Sequence, residues 1–281
     1  MTPWDDHTPS TQDEPADVQR RRRSVVAGAG VVGAGLLGLS LSSQPASRRF
    51  YVLTFGAAAT WGTSAIASGP LHRGWMRARR DGTLRRPIVV PVAVGVGAFG
   101  VFYGCALVAR RVPLLDAAIV GVMRFARQGS TPLVVLTTCA NGVAEELFFR
   151  GALYTAVGGR HPVAKATAAY TAVTAATRNP ALTIAGALMG TLFGLQRRAT
   201  GGVQAPIITH VTWSALMLRY LPPLFPSTGR RACGRGAPND QPDGGRRSVG
   251  RCRLVRSQLA TQVGNLRLEH QDASDPGKGQ A

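Results

Sequence analysis

Two acidic residues and an arginine stand close together in an otherwise apolar segment of the chain. The segment from Asn141 to Gly151 contains Glu145, Glu146 and Arg150. An ionised side chain at the centre of a bilayer costs roughly 2.5–3.5 kcal/mol on insertion scales, so such residues mark a functional site or a buried ion pair. Glu146 and Arg150 are four residues apart and share one helix face, which predicts that they pair. Glu145 is turned by about 100° from Glu146 and can face a different neighbour.

The acidic pair suits proton transfer, because a carboxylate held near a reacting group can act as a general base. For Glu146 and Arg150 a purely structural ion pair between helices is an equally good interpretation. Glu145 has no local counter-ion in the sequence, which favours a functional role for it.

A second polar centre lies in the last apolar segment of the chain. His210 and Ser214 are four residues apart, so both can line one cavity. His210 is the one histidine in the apolar segments, which favours a role in the site over a hydrogen-bonded packing role. We therefore expect His210 to approach the acidic residues in space.

The elements that carry these residues must be helices. Uncharged blocks cover 24–42, 50–71, 87–109, 181–196 and 202–218. A bilayer core of ~30 Å needs ~20 apolar helical residues, and backbone groups in lipid must bond within their own segment. The sequence thus predicts an all-α fold, a polytopic transmembrane bundle of seven to eight helices in the cell membrane. The short apolar stretch 114–126 decides the number, since it can cross the bilayer or lie at its surface.

The chain divides into four parts by composition. Residues 1–19 and 227–281 are polar and predict disordered tails, while 20–129 hold N-terminal transmembrane helices and 130–222 a second membrane domain. A run of four arginines, 20–23, precedes the first apolar block. It indicates a first transmembrane helix with a cytoplasmic N-terminus, with a secretory or twin-arginine signal as the alternative.

The positive charge is distributed as in a membrane protein. The formal net charge is +19, which in a soluble chain would suggest a nucleic-acid partner. Here the arginines flank apolar blocks, so membrane lipids are the expected partners and nucleic acid is not. The four cysteines have neither the spacing of a zinc site nor that of a disulfide framework.

The order and spacing of the polar centres resemble those of the CPBP family, over roughly residues 130–220. The acidic motif comes first, a helix end with Phe193 follows, and His210-x-x-x-Ser214 closes the pattern. This family includes type II CAAX prenyl endopeptidases and bacteriocin-processing or self-immunity (Abi) proteins.

The resemblance implies an intramembrane endopeptidase that cleaves a hydrophobic or prenylated peptide. Glu145 would activate the attacking water and Glu146 would support it. Arg150 would orient the acidic motif. His210 would bind a metal or stabilise the oxyanion.

Two positions depart from the family pattern. Arg197 stands where the family has a histidine, and Ser214 where it has an asparagine. The resemblance implies a divalent metal such as zinc, with His210 and Glu145 as its ligands. Arginine cannot ligate a metal, so the sequence leaves the metal open, and Arg197 can instead serve as a fixed cation for an oxyanion.

Three functions follow from these features. The first is a glutamate-dependent intramembrane (metallo)endopeptidase. The second is a catalytically degenerate relative that acts as a membrane binding or immunity protein, which the missing histidine favours. A transporter or ion pathway comes last, because the sequence shows no clear inverted repeat.

Overall fold

The computed structural model describes residues 15–77 and 82–225, all within one compact unit. The long elements are α-helices, in chain order: α1 (Ala16–Leu41), α2 (Arg48–Ala67), α3 (Val89–Ala109), α4 (Pro113–Gln128), α5 (Thr131–Glu146), α6 (Tyr154–Val157), α7 (Pro162–Ala175), α8 (Pro180–Thr200) and α9 (Gln204–Tyr220). A π-helical segment, Leu147–Leu153, joins α5 to α6, and a 3₁₀ turn, Pro222–Leu224, follows α9.

The predicted all-α fold is confirmed. The helix from Thr131 to Val157 is continuous through the π segment, so the described residues contain eight helices, within the predicted seven to eight. The β-structure among the described residues is one small antiparallel hairpin, β1 (Met76–Arg77) with β2 (Leu84–Arg85). It lies in the arginine-rich connection between α2 and α3.

Helix α1 begins earlier than the composition suggests. The sequence assigns 1–19 to a disordered segment, whereas α1 starts at Ala16, directly after Pro15. Pro15 is the N-cap of this helix, where the N–H that proline lacks is not needed for an intrahelical hydrogen bond. Residues 1–14 and the predicted tail 227–281 lie outside the described residues.

The helices run up and down between two ends of the bundle, which we call the first end, where α1 begins, and the second end, where α1 ends. At the first end the turn between α8 and α9 bonds to the connection before α3: Val203 N–H donates to the His72 carbonyl at 2.9 Å, and Gln204 N–H to that of Arg73 at 3.1 Å. Helices α3 and α9 therefore start side by side and run parallel.

Helix α4 lies across the second end of the bundle. Asn179, in the turn before α8, donates through Nδ2 to the Ala118 carbonyl at 2.8 Å. The ring of Phe125 packs on Phe50, in the first turn of α2, with centroids 4.7 Å apart. Both ends of α4 also connect to helix termini at this end, α3 before it and α5 after it. The ambiguous stretch 114–126 is thus a helix across one end of the bundle.

Three helices in the described part of the chain are long and apolar enough to cross a membrane, namely Ala16–Leu41, Val89–Ala109 and Thr131–Val157. The outer surface of α3 is strongly apolar, with Val89 80%, Val101 64% and Val108 62% exposed. Such a surface is stable in lipid and costly in water. Three such helices and this apolar outer surface are those of a membrane protein.

The core beside the acidic helix is aromatic. Trp61 on α2 is fully buried against Phe148 and Phe149, with ring centroids 6.4 and 5.6 Å away. Gly33 of α1 lies directly on the Trp61 indole, so a Cβ at this position would overlap the ring. A glycine here lets α1 and α2 approach closely, as small residues do between membrane helices.

Candidate active site

The acidic motif lies where α5 passes into the π-helical segment. Glu146 is the last residue of α5, and the next seven residues have the wider π turn. From Phe148 to Leu153 every residue is buried, so this segment is surrounded by protein on all sides. Short π segments inside α-helices are frequent at functional sites.

Glu146 is the centre of a buried cluster of charges. Its Oε1 accepts from Arg150 Nη1 at 3.2 Å and lies 2.8 Å from His210 Nδ1. Glu146 and Arg150 are 0% and 1% exposed. The second oxygen, Oε2, is buried without a hydrogen-bond partner. The structure thus brings the imidazole of α9 onto the acidic motif, 64 residues away in sequence.

The His210 ring is fixed on both faces. It stacks on Phe193 of α8, with centroids 4.8 Å apart and planes 19° from parallel. On the α5 side it lies against Gly142, where a Cβ would be 3.4 Å from His210 Cδ2. A side chain larger than alanine at 142 would displace the ring. Nε2 makes no hydrogen bond within the described residues.

Glu145 faces a different helix from Glu146. Its Oε2 accepts a hydrogen bond from the Tyr170 hydroxyl of α7 at 2.7 Å. The side chain is half-buried, and its other oxygen, Oε1, has no hydrogen bond in the part of the chain that the structure describes. Glu145 also interacts electrostatically with His210, Glu146 and Arg150. The two carboxylates therefore belong to one charged site but have different partners.

Arg150 ties the site to α7 and α8. Its Nη2 donates to the Gly190 carbonyl at 3.3 Å. Its guanidinium lies over the rings of Tyr170 and Phe193, 4.4 and 5.0 Å from their centroids. A cation over aromatic faces in a dry environment is stabilised by about 2 kcal/mol. These contacts hold the arginine beside Glu146.

A family model described as type II CAAX prenyl endopeptidase Rce1-like matches residues 127–216. This segment is therefore similar to an Rce1-like domain. The matched range contains every polar residue described above and agrees with the resemblance seen in the sequence. Neither the curated proteins nor the solved structures gave a match to the chain.

Arg197 of the Rce1-like segment is buried but does not join the carboxylates. Its Nε donates to the Arg150 carbonyl in the π segment at 2.8 Å, and its guanidinium lies 5.2 Å from the Tyr154 ring. Among the described residues it makes no ion pair with Glu145 or Glu146. This arginine therefore braces the backbone that carries the site.

Ser214 lies one helical turn beyond His210 on α9 and is half-buried. It makes no hydrogen bond within the described ranges. The structure places it on the same helix as His210 without a contact that would assign it a role.

The residues of the Rce1-like segment do not fit a zinc ion held by three protein ligands. No group of three or more His, Cys, Asp or Glu side chains that could hold a metal occurs among the described residues. His210 directs Nδ1 to Glu146, and an arginine, Arg197, stands where the family pattern has a histidine, which leaves too few ligands for a zinc site. We therefore derive no step through a metal.

Sequence reasoning missed Tyr170 and the π segment. The sequence did contain a signal for Tyr170, since it lies in an apolar segment and buried phenols usually find a hydrogen-bond partner. The amino-acid composition of the π segment gave no such signal.

Proposed function

We propose that the chain is a glutamate-dependent intramembrane endopeptidase that hydrolyses a hydrophobic or prenylated, membrane-associated peptide. The proposal rests on the 2.8 Å contact between Glu146 and His210, which joins the acidic motif to α9 in a buried site beside Glu145. It is supported by the Rce1-like match over the same residues.

In this mechanism Glu145 is the general base. Tyr170 occupies one of its oxygens and leaves Oε1 to accept a proton from a water molecule. The water oxygen bonds to the carbonyl carbon of the peptide bond, and the carbonyl electrons move to its oxygen. Glu145 then gives the proton to the amide nitrogen as the C–N bond breaks. The products are a new carboxyl end and a new amino end, and the base is restored.

His210 stabilises the oxyanion in this scheme. An ionised Glu146 can only accept hydrogen bonds, so the proton in their contact belongs to Nδ1 of the imidazole. Nε2 is then the ring atom left to meet substrate. A ring protonated on both nitrogens would, with Arg150, balance the two carboxylates and would donate Nε2–H to the oxyanion.

We also propose that the chain crosses the cell membrane seven times. In this proposal α4, which lies across the second end, is in the headgroup region, and the other seven helices connect the two ends. The first end carries the arginine run 20–23 and the loop arginines Arg73, Arg85 and Arg86, so it faces the cytoplasm. Membrane lipids are the expected neighbours of the exposed α3 surface.

Cleavage of prenylated and unprenylated hydrophobic peptides by purified protein in proteoliposomes tests the endopeptidase proposal. Glu145→Gln removes the base at constant volume, and we expect at least a 10²–10⁴-fold loss of kcat without loss of folding. Asp116→Asn in α4 is the matched control, because it makes the same change outside the site. Cleavage that survives Glu145→Gln would refute the mechanism.

A degenerate, non-catalytic relative is the second candidate. Arg197 supports this second candidate. Its side chain hydrogen-bonds the backbone of the π segment, so it neither ligates a metal nor donates a hydrogen bond to Glu145 or Glu146. In that case wild-type protein and Glu145→Gln would bind a hydrophobic peptide equally well, and neither would cleave it.

A further inference from the structure

Tyr170 lies at the site but on a different helix from the acidic motif. It is 9% exposed on α7, and its hydroxyl donates to Glu145 Oε2 at 2.7 Å. This distance is typical of a strong hydrogen bond from a hydroxyl to a carboxylate. Tyr170 is the one side chain that hydrogen-bonds Glu145 among the described residues.

The Tyr170 ring is held from three directions. It meets Phe149 edge to face at 4.8 Å, and the Arg150 guanidinium lies 4.4 Å from its centroid. On the α8 side Gly190 leaves only enough room for the ring, since a Cβ there would be 3.2 Å from Tyr170 Cδ1. A ring with so little freedom fixes the position of its hydroxyl oxygen.

Arg197 does not hold the Glu145 carboxylate in place. The family pattern places a histidine at position 197, but Arg197 donates to the Arg150 carbonyl. Glu145 would therefore rotate about its side-chain bonds if Tyr170 did not hold one oxygen. A base whose proton-accepting oxygen is misplaced by an ångström loses much of its rate.

We propose that Tyr170 is a positioning residue, which holds Oε2 of Glu145 so that Oε1 faces the attacking water. This inference rests on the proposed function, since it assigns Tyr170 a role in the same reaction. Tyr170 acts through Glu145 and need not touch the peptide.

The test is Tyr170→Phe, which removes the hydroxyl and keeps the ring on Phe149 and Arg150. We expect kcat to fall about ten- to hundredfold, the range set by losing a hydrogen bond to a charged group, with KM within about twofold. Tyr154→Phe is the matched control, because the Tyr154 ring also faces an arginine while its hydroxyl makes no hydrogen bond within the described residues. An unchanged kcat, or a change confined to KM, would overturn the proposal.

A second measurement does not need activity. Melting temperatures of Tyr170→Phe, Glu145→Ala and the double variant should be non-additive, because either single change already removes the hydrogen bond between the two side chains. If wild-type protein cleaves no peptide but the changes in melting temperature are non-additive, the proposed function is refuted, whereas the hydrogen bond between Tyr170 and Glu145 is supported. Additive shifts would overturn the contact and with it the role of Tyr170.

Discussion

Removing the Glu146 side chain should strongly destabilise the bundle. This carboxylate is the common acceptor for Arg150 and His210, and it is fully buried. Glu146→Ala leaves the buried guanidinium of Arg150 without the carboxylate that it is hydrogen-bonded to.

The magnitude follows from the burial of both partners. Breaking a buried ion pair by deleting one side costs about 3–5 kcal/mol, because the remaining charge is uncompensated. Arg150 keeps its bond to the Gly190 carbonyl, which places the cost toward the lower end of that range. One kcal/mol shifts Tm by about 2–4 °C in a domain of 150–250 residues, so a cost of about 3 kcal/mol lowers Tm by about 6–12 °C.

Thermal unfolding in detergent, followed by tryptophan fluorescence, measures this change. Trp213 is a suitable reporter because its ring lies 6.0 Å from His210. Glu146→Gln should cost less, about 1–3 kcal/mol, since the amide oxygen can still accept from Nδ1. Arg150→Met added to Glu146→Gln should restore part of the loss, because the arginine then no longer leaves a buried charge.

Two results would refute this reasoning. One is a Tm for Glu146→Ala within about 2 °C of wild type, which would mean that the pair is hydrated or absent. The other is a double variant with Arg150→Met whose loss equals the sum of the two single losses, which would mean that the charges do not interact.

One further prediction concerns the hydrogen bond of Arg197, and another concerns the orientation of α4 in the membrane. Arg197→Ala should lower the free energy of unfolding by about 1.5–3 kcal/mol through loss of the charged hydrogen bond to Arg150, whereas exposed Arg198→Ala should stay within about 0.5 kcal/mol in the same melting assay. Single cysteines at Leu114 and Gln128, at opposite ends of α4, should react with an impermeant maleimide from the same side of the membrane in a variant without native cysteines; labelling from opposite sides would show that α4 crosses the bilayer.

The sequence was sufficient for features that depend on local spacing. The pair of Glu146 and Arg150 follows from their separation by four residues, and the structure contains it at 3.2 Å. The helices follow from uncharged blocks between charged ends, since lipid leaves the backbone few alternatives. The approach of His210 to the acidic motif was also expected, although its partner is Glu146 and not the Glu145 proposed as its fellow metal ligand.

Features that depend on contacts between distant segments could not be derived in this way. The 13-residue, largely apolar stretch 114–126 suits a short span or a surface helix, and contacts to Asn179 and Phe50 decide between them. The π segment differs from an α-helix by one hydrogen-bond register, which residue composition does not encode. Tyr170 was one tyrosine among five until α7 packed it against Glu145.

The π segment and Arg197 are best understood as parts of one feature. The wider turn begins directly after Glu146, and the Arg197 side chain donates to the Arg150 carbonyl within it. Arg197 donates to this carbonyl through Nε while its guanidinium lies 5.2 Å from the Tyr154 ring, and a histidine has no guanidinium to place there. Arg197 therefore braces the backbone that carries Arg150, at a position where the family pattern has a histidine. Among the described residues Tyr170 is then the side chain that hydrogen-bonds Glu145, and the proposed positioning role predicts that any endopeptidase activity depends on its hydroxyl.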